Sequence, residues 1–489
     1  TMGQGGFQEV EQMNLFKDMV CYQEEVRDPS RMAEVLNRVI EKAFRGSAPA
    51  QINVPRDFWT QVIDIELPPI VRFERQGGGK DAVDSAAKLL SEAKFPVILS
   101  GAGVVIGDAI EDCKKLAEKL DAPVCNGYQH NDSFPGSHPL AVGPLGYNGS
   151  KAAMELISKA DVVLALGTRL NPFSTLPGYG IDYWPKDATI IQVDMNADRI
   201  GLTKKVTVGI CGDAKMVAQQ ILQKLSSNAG DNGREDRKNL IHQTKSAWLQ
   251  TLTSLDHEDD DPGTVWNKEA RERDKDRMSP RQAWRAIQAG LPEDVIISSD
   301  IGNNCAIGNA YPTFEKPRKY LAPGLFGPCG YGFPSILGAK IGCPDTPVIG
   351  FAGDGAFGIS MNEMSSCARE EWPSITMVIF RNYQWGAEKR NSILWFDDNF
   401  VGTELDPELS YAKVANACGL KGVIANTMEE TTKAIKQSCL DQKKGITTFI
   451  EVVLNQELGE PFRRDAMKKP VKVAGISKND MRPQKSLVS

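Results

Sequence analysis

Apolar positions along the chain follow two rhythms, a helical one of about 3.6 residues and short unbroken runs of strand length. Asp28 and Pro29 suit a helix start, and Met32, Val35, Leu36, Val39, Ile40 and Phe44 then form one apolar face that Gly46 ends. The run Ala50 to Pro55 reads as the next strand. Residues 1–68 therefore read as the closing αβ part of a domain that begins upstream of Thr1. Leu67-Pro68-Pro69 to Gly77-Gly78-Gly79 reads as a linker.

From 82 to 225 helix and strand patterns alternate. Helices are predicted over Ala82 to Ala93 and around Ile110 to Leu120, with strands at Phe95 to Ser100, Asp161 to Leu166 and Thr189 to Val193. Residues 226–278 turn polar, with the acidic run Glu258 to Asp261, and read as a linker carrying some solvated helix. A third unit over 279–460 has apolar strands at Val295 to Ser299, Val348 to Ala352, Ile375 to Phe380 and Thr447 to Val453. Alternation of this kind builds parallel sheets covered on both faces. The expected class is α/β, with three doubly wound parallel-sheet domains, the first truncated, and a basic tail over 461–489.

Composition narrows the partners. The chain of 489 residues is 41% hydrophobic and 25% charged, as in globular proteins of several domains. A formal charge of −6, with no long Lys/Arg run, argues against a nucleic-acid binder. Ten scattered cysteines, no C-x-x-C pair and four histidines suit a reducing cytoplasm rather than a disulfide framework or a zinc site. No membrane span or leader is readable. Small molecules and other subunits are the expected partners.

The segment richest in chemistry is Pro347 to Phe357, a buried strand ending in Gly353-Asp354-Gly355 and followed by a helical pattern. This puts Asp354 at the carboxyl end of a parallel strand, where open α/β sheets bind ligands. Asn382 follows the next strand, 28 positions on (382 − 354). Magnesium prefers an octahedron of hard oxygens, few of them from protein. Asp354, the Asn382 amide and the Gln384 backbone carbonyl supply half of that shell. Gly-Asp-Gly alone also makes ordinary turns; Asn382 at the right distance is what adds the metal reading.

This order of strand, Gly-Asp-Gly, helix, strand and Asn is similar to the signature of thiamine-diphosphate enzymes, and the chain resembles the acetolactate-synthase superfamily from Gly5 to about Glu460. The resemblance implies thiamine diphosphate and Mg²⁺ as cofactors. It implies that Gly302, Asn303 and Asn304 lie on the diphosphate side, with Gly353, Gly355 and Ala356. Gly327 and Cys329 fall in the glycine-rich stretch along the cofactor, where plain helix packing is the other reading. Cys329 stands where acetolactate synthases have Met. Phe7 and Gln8 match an active-site stretch of the pyrimidine-binding domain, whose activating glutamate would lie upstream of Thr1. The segments Gly143 to Gly149, Asn171 to Gly180 and Gln384 to Asn391 look most like the branch that takes 2-sulfoacetaldehyde and phosphate. A homodimer or homotetramer is implied, because in this superfamily two subunits hold one cofactor.

The start of the helix after the metal loop reads Gly386-Ala387-Glu388-Lys389-Arg390-Asn391 where acetolactate synthases are largely apolar. Lys389 and Arg390 suit two anionic substrates, with Glu388 as an orienting or proton-transfer partner; a solvated helix start is the plain alternative. His130 is a further candidate for proton transfer or a structural loop residue. Three other readings stay open: an acetolactate synthase or related carboligase, a nicotinamide enzyme suggested by Gly101-Ala102-Gly103, and a catalytically silent subunit.

Overall fold

The computed structural model describes residues 3–69, 74–255, 272–324, 326–395 and 399–457. The acidic run Glu258 to Asp261 and the basic tail 461–489 lie outside the described residues. The chain divides into two compact units, Thr1–Arg75 and Gln76–Ser489.

In the first unit, β1 (Tyr22–Glu25) pairs in parallel with β2 (Ala50–Asn53), joined by the helix Met32–Gly46. Asp28 caps the turn before that helix by accepting from Ser30 N at 2.9 Å, and Ser47 ends it in a left-handed conformation just past Gly46. The apolar face of this helix is only partly buried within the unit. Val35 and Val39 pack against Val26, whereas Leu36, Ile40 and Phe44 are 42%, 45% and 75% exposed. Two strands are too narrow to cover both stripes of one helix.

In the second unit the first sheet has the order β5-β4-β3-β6-β7-β8, with β3 (Pro96–Ser100), β4 (Val124–Asn126), β5 (Ala141–Pro144), β6 (Val162–Leu166), β7 (Thr189–Asp194) and β8 (Val208–Cys211). All pairings are parallel. The glycines that suggested a nicotinamide loop are used for packing: a side chain on Gly103 would come within 2.6 Å of the Gly167 Cα.

The stretch expected to be a linker with some solvated helix carries the helix Arg234–Leu255, which docks on this sheet domain instead of standing in solvent. Ile241 and Trp248 are buried. Arg237 is 1% exposed and donates to the carbonyls of Lys94 (2.7 Å), Leu120 (2.9 Å), Asp121 (2.9 Å), Gly230 (2.6 Å) and Asn232 (2.8 Å). Arg237→Met strands those acceptors, so a loss of about 3 kcal/mol or more is expected. Thermal unfolding followed by circular dichroism checks it; an unchanged midpoint contradicts it.

The second sheet has the order β10-β9-β11-β12-β14-β13, with β9 (Ile296–Ser299), β10 (Tyr320–Leu321), β11 (Val348–Gly353), β12 (Thr376–Arg381), β13 (Lys421–Ala425) and β14 (Thr448–Val453). It too is wholly parallel. The helix Pro280–Gly290 starts with a capping box between Ser279 and Gln282 and buries Trp284 against Phe351 and Phe380. The chain leaves β9 toward β10 on one side and returns to β11 on the other. That reversal opens a crevice at the carboxyl ends of β9 and β11.

The two sheet domains meet along a polar seam. Asn131 donates to the carbonyls of Asn309 (2.8 Å) and Pro312 (3.0 Å), Asp132 accepts from Lys319 N at 3.1 Å, and Asn309 donates to the Tyr147 carbonyl at 3.2 Å.

Candidate active site

β11 is apolar and buried until Gly353, and the helix Asp354–Ser360 starts immediately after it. Asp354 is 1% exposed. Its Oδ1 accepts from Gly355 N at 2.9 Å; its Oδ2 accepts from Tyr383 N at 2.6 Å and Arg381 Nη1 at 3.0 Å. Burial pushes the carboxyl up to about 6, against the pull of Arg381 and the two amides. The Tyr411 hydroxyl donates to the Asp354 carbonyl at 2.8 Å.

Pairing of Gly353 with Phe380 carries Asn382 to the same end of the sheet as Asp354. Asn382 is 1% exposed, and neither its amide nitrogen nor its amide oxygen has a hydrogen-bond partner. Buried amides rarely go unsatisfied without a reason. The Gln384 side chain is committed, donating to the Gln456 carbonyl at 3.2 Å and accepting from Lys389 at 3.2 Å. Its backbone pairs with Glu404 through bonds made by its neighbours, Trp385 N to the Thr403 carbonyl and Leu405 N to the Tyr383 carbonyl, so that pairing does not use the Gln384 carbonyl. A carboxylate, an open amide oxygen and a backbone carbonyl fit magnesium. Among the described residues no cluster of His, Cys, Asp or Glu forms a rival metal site.

On the other side of the crevice Gly302 has φ 123, a conformation that favours glycine, and a Cβ there would meet nothing within 4 Å. It precedes the helix Asn303–Ile307, whose first residues Asn303 and Asn304 are buried. A methyl on Gly386 would lie 3.4 Å from the Asn303 Cβ, so the two sides adjoin. Gly353 also faces open space, Gly355 is closed by the Trp385 ring, and Ala356 is buried in the first helical turn. Backbone open at Gly302 and Gly353 is the kind of cradle a diphosphate fills.

Asp300, at the end of β9, fastens the glycine-rich stretch to this crevice. Its carboxylate accepts from Ile301 N (2.8 Å), Gly330 N (3.1 Å) and Gly332 N (2.6 Å). Gly327 rests on the Ile301 side chain. Cys329 keeps an exposed face, yet lost hydration and then the Asp300 and Glu388 carboxylates push its thiol up, so it stays neutral near pH 7.

The three charged residues of this segment have different surroundings. Glu388 is exposed on the side of Cys329. Lys389 is fully buried, ion-paired with Glu404, hydrogen-bonded to Gln384 and 5.4 Å from the Phe400 ring centre. Burial lowers its pKa, opposed by Glu404. Arg390 is buried and its Nη1 donates to the Tyr147 hydroxyl at 2.7 Å. Lys389 and Arg390 thus have different neighbours, since consecutive helix positions diverge by about 100°. His130 lies in the seam loop. Burial, then the Arg169 charge, lowers its pKa to about 4, which leaves the ring neutral at pH 7. Gln8 sits in an exposed turn of the first unit with φ 63.

Sequence reading missed Arg381, whose place directly before Asn382 was the available signal. It also missed Tyr147 and Glu404, which reach the site only through tertiary contacts.

The family model "Thiamine pyrophosphate enzyme, central domain" matches residues 83–224, and "Thiamine pyrophosphate enzyme, C-terminal TPP binding domain" matches residues 300–452. The solved benzoylformate decarboxylase of Polynucleobacter necessarius superposes with a TM-score of 0.71 at 20% identity, over 92% of this chain and 78% of that one, a likeness of fold. The chain is a thiamine-diphosphate-dependent enzyme. It is 78% identical over 487 residues to the probable sulfoacetaldehyde acetyltransferase of Rhizobium meliloti (strain 1021), covering 100% of this chain and 82% of that protein. It is 75% identical over 484 residues to the sulfoacetaldehyde acetyltransferase of Roseovarius nubinhibens (strain ATCC BAA-591 / DSM 15170 / ISM), covering 99% and 80%. The chain belongs to the sulfoacetaldehyde acetyltransferase family.

Proposed function

We propose that the protein converts 2-sulfoacetaldehyde and phosphate to acetyl phosphate and sulfite, using thiamine diphosphate and Mg²⁺. The observation that carries this reading is the buried Arg390, on the helix that follows the segment holding Asn382 and Gln384. Thiamine diphosphate supplies the carbon nucleophile and electron sink for the bond changes at the aldehyde. Asp354, Asn382 and the Gln384 carbonyl hold the metal. Gly302, Asn303, Asn304, Gly353, Gly355 and Ala356 lie along the diphosphate, and Gly327 and Cys329 along the cofactor rings. Arg390 grips sulfonate or phosphate oxygens, and Glu388 handles protons on the Cys329 side. Lys389 positions Gln384 rather than the substrate. Neutral His130 supports the seam. Burial of Asp354, Asn382 and Arg390 restrains water from competing for the acetyl group.

The test is an assay of the full-length protein with 2-sulfoacetaldehyde, with and without phosphate. Sulfite release with phosphate-dependent acetyl phosphate is expected; consumption of pyruvate instead would overturn the reading.

The working form is a cytoplasmic homodimer or homotetramer. Ten free cysteines support a reducing compartment, and among the described residues no helix is long and apolar enough to cross a membrane. The binding of one cofactor between subunits, implied by the family, supports the oligomer. Sedimentation of the active enzyme is expected to give at least a dimer; an active monomer contradicts this.

A further inference from the structure

The central-domain loop Gly143 to Gly149 reaches the crevice through the seam. It is tightly held: Leu145 N donates to the Asn126 carbonyl at 2.9 Å, Gly149 N to the Gly146 carbonyl at 3.1 Å, Ser150 N to the Pro144 carbonyl at 2.6 Å, and the Tyr179 hydroxyl to the Gly149 carbonyl at 2.8 Å. The Tyr147 carbonyl accepts from Asn309, and its hydroxyl accepts from Arg390. The loop therefore lies between the Asn303–Ala310 segment and the helix Gly386–Trp395, whose starts frame the diphosphate cradle and follow the metal loop.

Within this loop Asn148 stands out. It is 3% exposed and has φ 55, a left-handed conformation that Asn tolerates better than most side chains. Its amide nitrogen and its amide oxygen are both buried, and neither has a hydrogen-bond partner. An unsatisfied buried donor and acceptor on one side chain cost stability. Strain and open polar atoms together mark positions that meet a ligand.

The chemistry of the two substrate anions decides between them. A sulfonate offers only acceptor oxygens. Hydrogen phosphate offers acceptors and one P–OH donor, so a single amide can donate to it and accept from it. Exchanging the amide oxygen and nitrogen leaves the argument intact, because both are open. We propose that Asn148 binds the acceptor phosphate beside Arg390 and thereby sets the enzyme's preference for phosphate over water. This rests on the acetyltransferase reading given above.

Two variants that tolerate the left-handed backbone test it. Asn148→Gly keeps the conformation and removes the amide; Asn148→Asp keeps the shape and replaces the donor with a charge that repels the phosphate dianion. In Asn148→Gly the KM for phosphate is expected to rise about ten- to a hundredfold, the worth of a hydrogen bond to a charged group. Asn148→Asp is expected to raise it further. In both, acetate gains on acetyl phosphate among the products. The KM for 2-sulfoacetaldehyde stays within about twofold of the parent, and thiamine diphosphate binding, read by circular dichroism, is unchanged. An unchanged phosphate KM in Asn148→Gly overturns the proposal, since it would make Asn148 a conformational residue only. Equal rises in both KM values, or loss of cofactor binding, also overturn it. A parent enzyme that releases no sulfite from 2-sulfoacetaldehyde defeats the activity itself, which separates the two failures.

Discussion

Asp354→Ala and Asn382→Ala are each expected to abolish magnesium-dependent binding of thiamine diphosphate, with affinity falling more than about a hundredfold. Asp354 supplies the only carboxylate of the proposed metal set, and its replacement also strands Arg381 and the amides of Tyr383 and Gly355, which now bond to it. Asn382 supplies an amide with both polar atoms open, so its removal leaves the packing around it largely intact and its loss reports on the ligand. Magnesium can recruit water into a vacated position, but water brings no geometry and no charge. Titration of cofactor with and without magnesium, followed by circular dichroism, reads the effect. Retained binding at ordinary cofactor concentration in either variant would defeat the metal assignment. Asn382→Ala carries the cleaner inference, because unfolding is the less available explanation for it.

How much of this was readable beforehand depended on burial. Strands β3, β6, β7, β9, β11, β12 and β14 are covered on both faces, and their sequences are near-continuous apolar runs that mark them directly. The strands that escaped are short or lie at a sheet edge: β10 has two residues, and β13, Lys421-Gly422-Val423-Ile424-Ala425, is only partly covered. Asp354 and Asn382 were legible because one helix and one strand fix the distance between them along the chain. The Arg237 cage was not, since its carbonyl partners include residues as far away as Lys94, 143 positions earlier. Tyr147 and Arg390 are 243 positions apart, and nothing local in either segment announces the contact. The composition of Glu388-Lys389-Arg390 disclosed charge but not direction, which the helix decides by turning Glu388 outward and the next two residues inward.

That divergence gives the second large effect, because the two cations should fail in different ways. Arg390 is buried with its guanidinium on the Tyr147 hydroxyl, at the edge of the crevice where the sulfonate or phosphate is expected. A guanidinium presents several fixed donors to a tetrahedral oxyanion, whereas an ammonium acts as a point charge. Arg390→Ala is expected to cut kcat/KM for 2-sulfoacetaldehyde by about a hundredfold, roughly the value of a charge-assisted contact, with Arg390→Lys recovering part of it. Cofactor affinity should hold, since losing the Arg390–Tyr147 bond leaves the bonds that hold Asp354 and Gln384 in place. Lys389 is tied to Gln384, whose carbonyl belongs to the proposed metal set, and to Glu404 on the paired segment. Lys389→Ala leaves the Gln384 side chain without that donor and loosens the loop, so cofactor affinity is expected to fall about tenfold at unchanged KM for the aldehyde. The measurements are sulfite release and acetyl phosphate formation as aldehyde, phosphate and cofactor are varied in turn. If Lys389→Ala raises the aldehyde KM while Arg390→Ala does not, the roles are reversed; if both variants keep the parent's dependence on all three, this helix reads neither anion and the specificity lies in other residues of the crevice.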